Sequence, residues 1–172
     1  MTEIEGIAWW TSLVVLLAAS VTDLRARRIP NWLVVPFLAA GLIARTVAGG
    51  VAGAGSSLAG AALACAFFAL PCFLGAMGMG DLKLAAGVGA WILPAQLVTA
   101  MVMTALVGGI MAVGVAFWRG ELAKRLDGAG DLAVSFLRLR PRASARIGDA
   151  SALSIPYAPA IAFGTLFSFF TK

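Results

Sequence analysis

The feature that most constrains this chain is its run of uncharged apolar stretches, several of them as long as a bilayer is thick. Residues 95–118 and residues 46–80 contain no charged side chain. A helix of about 20 apolar residues spans the hydrocarbon core of a membrane. The chain is 61% hydrophobic and 12% charged over 172 residues, and so much apolar surface cannot be hidden in one small water-soluble core. The sequence therefore predicts an all-α membrane protein.

Hydropathy predicts a bundle of about six transmembrane helices within a single membrane domain, residues 1–172. The fourth helix is too short to cross a bilayer alone and is expected to be a half-helix that begins after a Gly-x-Gly-Asp turn and packs inside the bundle. No basic segment precedes the first apolar stretch, so we expect that stretch to be retained as a helix. The predicted spans are residues 7–22, 32–48, 58–76, 82–93, 95–118 and 155–170.

The basic residues predict the orientation, because Lys and Arg concentrate in cytoplasmic loops. They cluster after the first, third and fifth predicted spans, whereas the loop 49–57 is uncharged and acidic residues precede the first span. We therefore expect both termini on the outer side of a bacterial inner membrane. Arg45 is the exception and is expected to snorkel to the outer interface.

The net charge of +5 is distributed over these membrane-proximal loops, which indicates anionic headgroups and not nucleic acid as the partner. Loop 119–154 is either an amphipathic segment lying on the headgroups or a solvated basic connector, and both interpretations stay open. Cys65 and Cys72 lie seven residues apart on one helix face, where packing is a simpler explanation than a disulfide.

Candidate catalytic residues are few because the chain contains no histidine. A Ser-His-Asp site and a His-ligated zinc site are thereby excluded, and we expect no cofactor and no metal. Only two acidic residues, Asp23 and Asp81, lie at the edges of apolar spans, and both fall on the predicted cytoplasmic side. Ionisable groups in such positions are costly and usually functional.

Each of these residues also has a purely structural interpretation. Asp23 could end the first span and pair with Arg27 at i+4, and Asp81 could be the N-cap of the short helix. As a pair, however, they fit aspartic proteolysis. One ionised carboxylate activates water and the other, protonated, polarises the scissile carbonyl. Gly78 and Gly80 would allow a tight turn before Asp81 and close approach of a substrate backbone.

Three segments resemble the type IV prepilin peptidases. Residues 21–31, Val-Thr-Asp-Leu-Arg-Ala-Arg-Arg-Ile-Pro-Asn, look like the first catalytic segment, in which an Asp ends a span and a basic stretch leads to Ile-Pro-Asn. Residues 78–84, Gly-Met-Gly-Asp-Leu-Lys-Leu, are similar to the Gly-x-Gly-Asp segment, and residues 155–164 resemble the closing span. The segments occur in the family's order and cover most of the chain.

The resemblance implies an aspartic endopeptidase that removes the basic leader of prepilin or pseudopilin precursors at the cytoplasmic face. It assigns catalysis to Asp23 and Asp81, with Pro30, Asn31, Gly78, Gly80 and Lys83 as motif residues near the approaching substrate. The compact chain is similar to the peptidases of Flp pili, and we expect cleavage without N-methylation. The alternatives are a non-catalytic subunit of a pilus or secretion machine and a small transporter.

Overall fold

The structure is a computed structural model that describes residues 3–73, 77–92, 94–118 and 157–171. Every regular element in these ranges is an α-helix, as the sequence predicts. The elements are α1 (Glu3–Ala26), α2 (Asn31–Phe73), α3 (Met79–Trp91), α4 (Pro94–Trp118) and α5 (Ala158–Phe170). The predicted loop 119–154 lies outside the described residues, so neither interpretation of it is tested.

Three of these helices are long and apolar enough to span a membrane, so the protein is a multi-pass membrane protein. They are α1 from Gly6, α2, and α4 over Gln96–Val115. The helix α5 is apolar but shorter. The predicted count of six spans is not reproduced in the described ranges, where the second and third predicted spans both lie on α2.

The helix α2 contains one sharp break, at Gly50. Its φ of 58° and ψ of −141° lie outside the helical region and are readily adopted only by glycine. Residues 31–49 and residues 51–73 thus form two arms. Both arms reach the same end of α3, since Arg45 and Ser57 hydrogen-bond to the carbonyls of Trp91 and Ala90, respectively. The chain therefore reverses at Gly50, inside what the sequence predicts as an irregular loop.

The short helix α3 lies at the centre of the bundle, and every residue from Leu84 to Ile92 is buried. A helix that is apolar on all sides is stable only when it is covered all round. The structure has a short, buried helix at the place where the sequence predicts a half-helix, although it begins at Met79 and not after Asp81. The second arm of α2 approaches it most closely, since Gly60 and Gly89 lie against each other's carbonyl groups.

Arg45 stabilises the far end of α3. Its Nε and a guanidinium nitrogen donate to the Trp91 carbonyl at 3.1 and 2.6 Å. A cation at a helix C-terminus satisfies orphan carbonyls and complements the helix dipole. The guanidinium that the sequence predicts to snorkel is thus held as a helix cap.

The remaining helices form an antiparallel group. Trp9 of α1 contacts Phe169 and Phe170 of α5 edge to face, while the last turn of α1 meets the first turn of α5. Gly164 of α5 lies against Thr104 of α4. As a result, the end of α1 and the starts of α2, α3 and α5 meet at one end of the bundle, which we call the carboxylate end.

Candidate active site

Asp23 lies in the last turn of α1, and its side chain is 5% exposed. The helix stops because Arg27 adopts a left-handed φ of 50° and donates its N–H to the Asp23 carbonyl at 2.8 Å. Oδ2 of the Asp23 side chain accepts the N–H of Ala158 at 3.2 Å, 135 residues further along the chain. Arg27 exerts an attractive charge at i+4, but the hydrogen bond ties Asp23 to α5.

Asp81 lies in the first turn of α3 and is 6% exposed. The N-cap position belongs to Gly78, so the interpretation of Asp81 as the N-cap is wrong. Asp81 occupies N3 and its Oδ2 accepts the Gly78 N–H at 3.2 Å, which is the reciprocal half of a capping box. Its other oxygen, Oδ1, is buried and has no hydrogen-bond partner in the described ranges. The capping hydrogen bond uses only Oδ2, so Oδ1 is not needed to hold the start of α3.

The charge of Asp23 acts on Asp81. Asp81 lies in α3, and the 13 residues of this helix are too few to span a membrane. Burial, and then the negative charge of Asp23, raises the pKa of Asp81 to about 7, against the opposing hydrogen bond from Gly78. Asp81 therefore retains a proton at a pH where an ordinary aspartate has lost it. A pair that holds one proton can supply an acid and a base at once.

The motif residues all lie at the carboxylate end. Lys83 Nζ donates to Asn31 Oδ1 at 3.2 Å, which joins α3 to the start of α2. Pro30 begins α2 by accepting the N–H groups of Leu33 and Val34 with its carbonyl oxygen. The Ile-Pro-Asn segment and the Gly-x-Gly-Asp segment are therefore in direct contact.

Gly78 and Gly80 are needed for close approach and not for an unusual backbone. Gly78 has an ordinary φ of −77°, and a Cβ there would lie 3.1 Å from Oδ2 of Asp81. A Cβ on Gly80 would lie 3.2 Å from Cβ of Ile29. Gly80 is thus covered by the α1–α2 connection, a neighbour that sequence reasoning did not identify.

Sequence reasoning also assigned no role to Tyr157 and Ala158. Both belong to the segment that resembles the closing span, and the available signal was the position of the chain's only tyrosine at the start of that span. The structure places Ala158 against Asp23, and the charge of Asp81 acts on the phenol of Tyr157. The first turn of α5 thus contributes to the same site.

These observations define a class: an all-helical, multi-pass membrane protein with two buried, interacting carboxylates at one end of its bundle. The chain belongs to the type IV leader peptidase family, which it matches over residues 10–113. That stretch includes both aspartates and both motif segments. Membership indicates an aspartic peptidase activity and, in general terms, a prepilin substrate. Neither the curated proteins nor the solved structures contain a match to this chain.

Proposed function

We propose that the protein is an aspartic endopeptidase with Asp23 and Asp81 as its catalytic pair. We further propose that it removes the basic leader of Flp-type prepilin precursors at the cytoplasmic face of the inner membrane, without N-methylation. One observation carries the assignment of the pair. Two carboxylates from segments 58 residues apart are buried at the same end of the bundle, and the charge of one acts on the other.

The surroundings support different roles for the two residues. Each accepts one backbone N–H, but Asp23 also has the positive charge of Arg27 nearby, which favours its ionised form, whereas Asp81 holds a proton up to about pH 7. Asp23 therefore takes a proton from the attacking water, whose oxygen bonds to the scissile carbonyl carbon. Asp81 gives its proton to the carbonyl oxygen, and a tetrahedral diol forms. The C–N bond then breaks as the diol returns a proton to Asp81, and Asp23 protonates the departing amine.

The position of the pair supports a substrate that lies in the membrane. Asp23 ends an apolar helix of spanning length, so the pair lies near the level where a hydrophobic stem would emerge from lipid. The exposed basic residues at this end include Arg25, Arg28 and Lys83, which favours the cytoplasmic side. A precursor inserted with its basic leader in the cytoplasm would present the leader–stem junction at this depth.

The decisive experiment replaces each carboxylate by its amide. Asp23→Asn and Asp81→Asn should each abolish leader removal from a co-expressed Flp-type prepilin, read out as a mass shift, while both variants remain inserted and folded. The losses should not add in the double variant, because the residues act as one unit. Glu5→Gln, which removes a charge from the opposite end of α1, is the matched control and should cleave normally.

Processing at a near-normal rate in either amide variant would contradict the assignment and favour a non-catalytic subunit. Cleavage of a co-expressed pseudopilin from another system, with the Flp-type precursor left intact, would contradict the substrate class only. Labelling of single cysteines placed next to Arg28 and Gly55 tests the orientation, since the first should be cytoplasmic and the second external.

A further inference from the structure

Tyr157 occupies a fixed position beside the carboxylate pair. It is the N-cap residue of α5, and its carbonyl accepts the N–H of Ile161 at 3.0 Å. The next residue, Ala158, is fully buried and donates its N–H to Asp23. The backbone of Tyr157 is therefore held within one residue of a carboxylate by two hydrogen bonds.

The ring of Tyr157 is held by α4. A Cβ on Gly108 would lie 2.7 Å from Cε1 of the tyrosine and 3.1 Å from its Cδ1, so the ring packs on the glycine with no space between them. Any larger residue at position 108 would push the ring away. Tyr157 is half-buried, so its ring is covered where it packs on Gly108 and is partly accessible elsewhere.

The phenol lies within electrostatic range of the second carboxylate. Burial favours the neutral phenol, which is the form that donates a hydrogen bond, and the charge of Asp81 acts in the same direction whenever Asp81 is ionised. Asp81 itself has a buried oxygen without a partner in the described part of the chain. The phenol and this oxygen both belong to residues of the carboxylate end, where the scissile carbonyl would bind under the proposed function.

We propose that Tyr157 is a third catalytic residue, whose phenol donates a hydrogen bond to the scissile carbonyl oxygen as it becomes tetrahedral. This inference rests on the proposed peptidase function. No proton leaves the tyrosine: Asp81 protonates the oxygen, and the phenol stabilises the negative charge that develops before that transfer. A donor fixed in advance acts strongly at a site partly shielded from water, because it need not reorganise during the reaction.

The direct test is Tyr157→Phe, which removes only the hydroxyl and preserves the ring and its packing on Gly108. With a purified Flp-type precursor in detergent micelles, we expect kcat to fall about 100-fold, the typical cost of losing one such donor. KM should stay within about threefold, since the interaction forms mainly in the transition state. An unchanged kcat, or a rise in KM alone, would overturn the proposal.

A second variant tests whether the position of the ring matters through its hydroxyl. Gly108→Ala should lower kcat in the parent by displacing the phenol, yet have little effect in a Tyr157→Phe background, where no hydroxyl remains to be misplaced. Equal losses in both backgrounds would show that packing alone is responsible and would overturn the proposal. Gly109→Ala, with open space around its new methyl group, is the control.

The outcomes separate this inference from the proposed function. If Asp23→Asn and Asp81→Asn are inactive while Tyr157→Phe is fully active, the peptidase assignment is supported and the catalytic role of Tyr157 is refuted. If the amide variants are active, the peptidase assignment itself fails. Thermal unfolding of Tyr157→Phe should match that of the parent, and a lower midpoint together with a reduced kcat would point to a structural role and count against catalysis.

Discussion

Gly87→Ala is the substitution for which sequence and structure give opposite expectations. By sequence, Gly87 lies inside a helix, where alanine is about 1 kcal/mol more favourable than glycine, so the change should be mild. In the structure, a Cβ on Gly87 would lie 2.6 Å from Cδ1 of Phe37 and 3.1 Å from its Cε1. Phe37 is 3% exposed and stacks on Trp91 with ring centroids 5.9 Å apart, so the ring has little room to move.

The magnitude follows from the two opposing effects. Overpacking a filled core costs about 1–3 kcal/mol, which exceeds or cancels the gain of about 1 kcal/mol in helix propensity. Gly109→Ala in α4 has the same propensity gain and no neighbour within 4 Å of the new methyl group. The difference in unfolding free energy between the two variants should therefore equal the overpacking cost alone, with Gly87→Ala the less stable.

Thermal unfolding in detergent, with both variants and the parent at matched concentration, measures that difference. Adding Phe37→Leu to Gly87→Ala should recover part of the loss, because the shorter side chain vacates the space that the methyl group needs. Equal stability of Gly87→Ala and Gly109→Ala would refute the reasoning, since it would mean that the first arm of α2 can move away from α3 at no cost.

Three further predictions concern the two ends of α3. Gly78→Ala should lower kcat in a cleavage time course, because its φ of −77° accepts alanine while the methyl group displaces the Asp81 carboxylate. An unchanged kcat would contradict this. Arg45→Met should lower the free energy of unfolding by about 1.5–3 kcal/mol, because the charged hydrogen bonds to the Trp91 carbonyl are lost. Cleavage at moderate temperature should stay intact, and an unchanged unfolding midpoint would count against Arg45 as the cap of α3. Cleavage should decline as pH rises through about 7, because Asp81 then loses the proton that it must donate; a rate that stays level across this pH would argue for another acid.

The sequence predicted those features that depend on composition and order. Apolar length identified the helices, and the placement of basic residues put the segments around Asp23 and Asp81 at the same end of the bundle, where the structure has them. The short helix was recognisable because its apolar run, between the Gly-x-Gly-Asp segment and Pro94, is too short to span a bilayer alone. These inferences use only local sequence and the properties of a bilayer.

What could not be predicted depends on contacts between distant segments. Nothing near Gly87 in the sequence indicates that Phe37 covers it, and nothing near Arg45 indicates that its guanidinium caps a helix 46 residues away. The break at Gly50 was not distinguishable from the neighbouring glycines, because five glycines lie between positions 49 and 60 and only one adopts a left-handed φ. Tertiary packing, and not local propensity, determines which of these contacts form and which glycine adopts the positive φ.

The packing divides the described helices into two groups, and the carboxylates lie on opposite sides of the boundary. The helices α2 and α3 pack extensively on each other and carry Asp81, whereas α1, α4 and α5 form the second group and carry Asp23. Inside each group, glycines bring backbones into close contact, which is how helices associate where lipid removes the hydrophobic driving force. Between the groups the packing is sparser, and a small apolar cavity lies there, lined by residues of both such as Val88 and Leu97. For the proposed peptidase, we expect water and a peptide to reach the buried pair along this sparser boundary, because the packing within each group is too close to admit them.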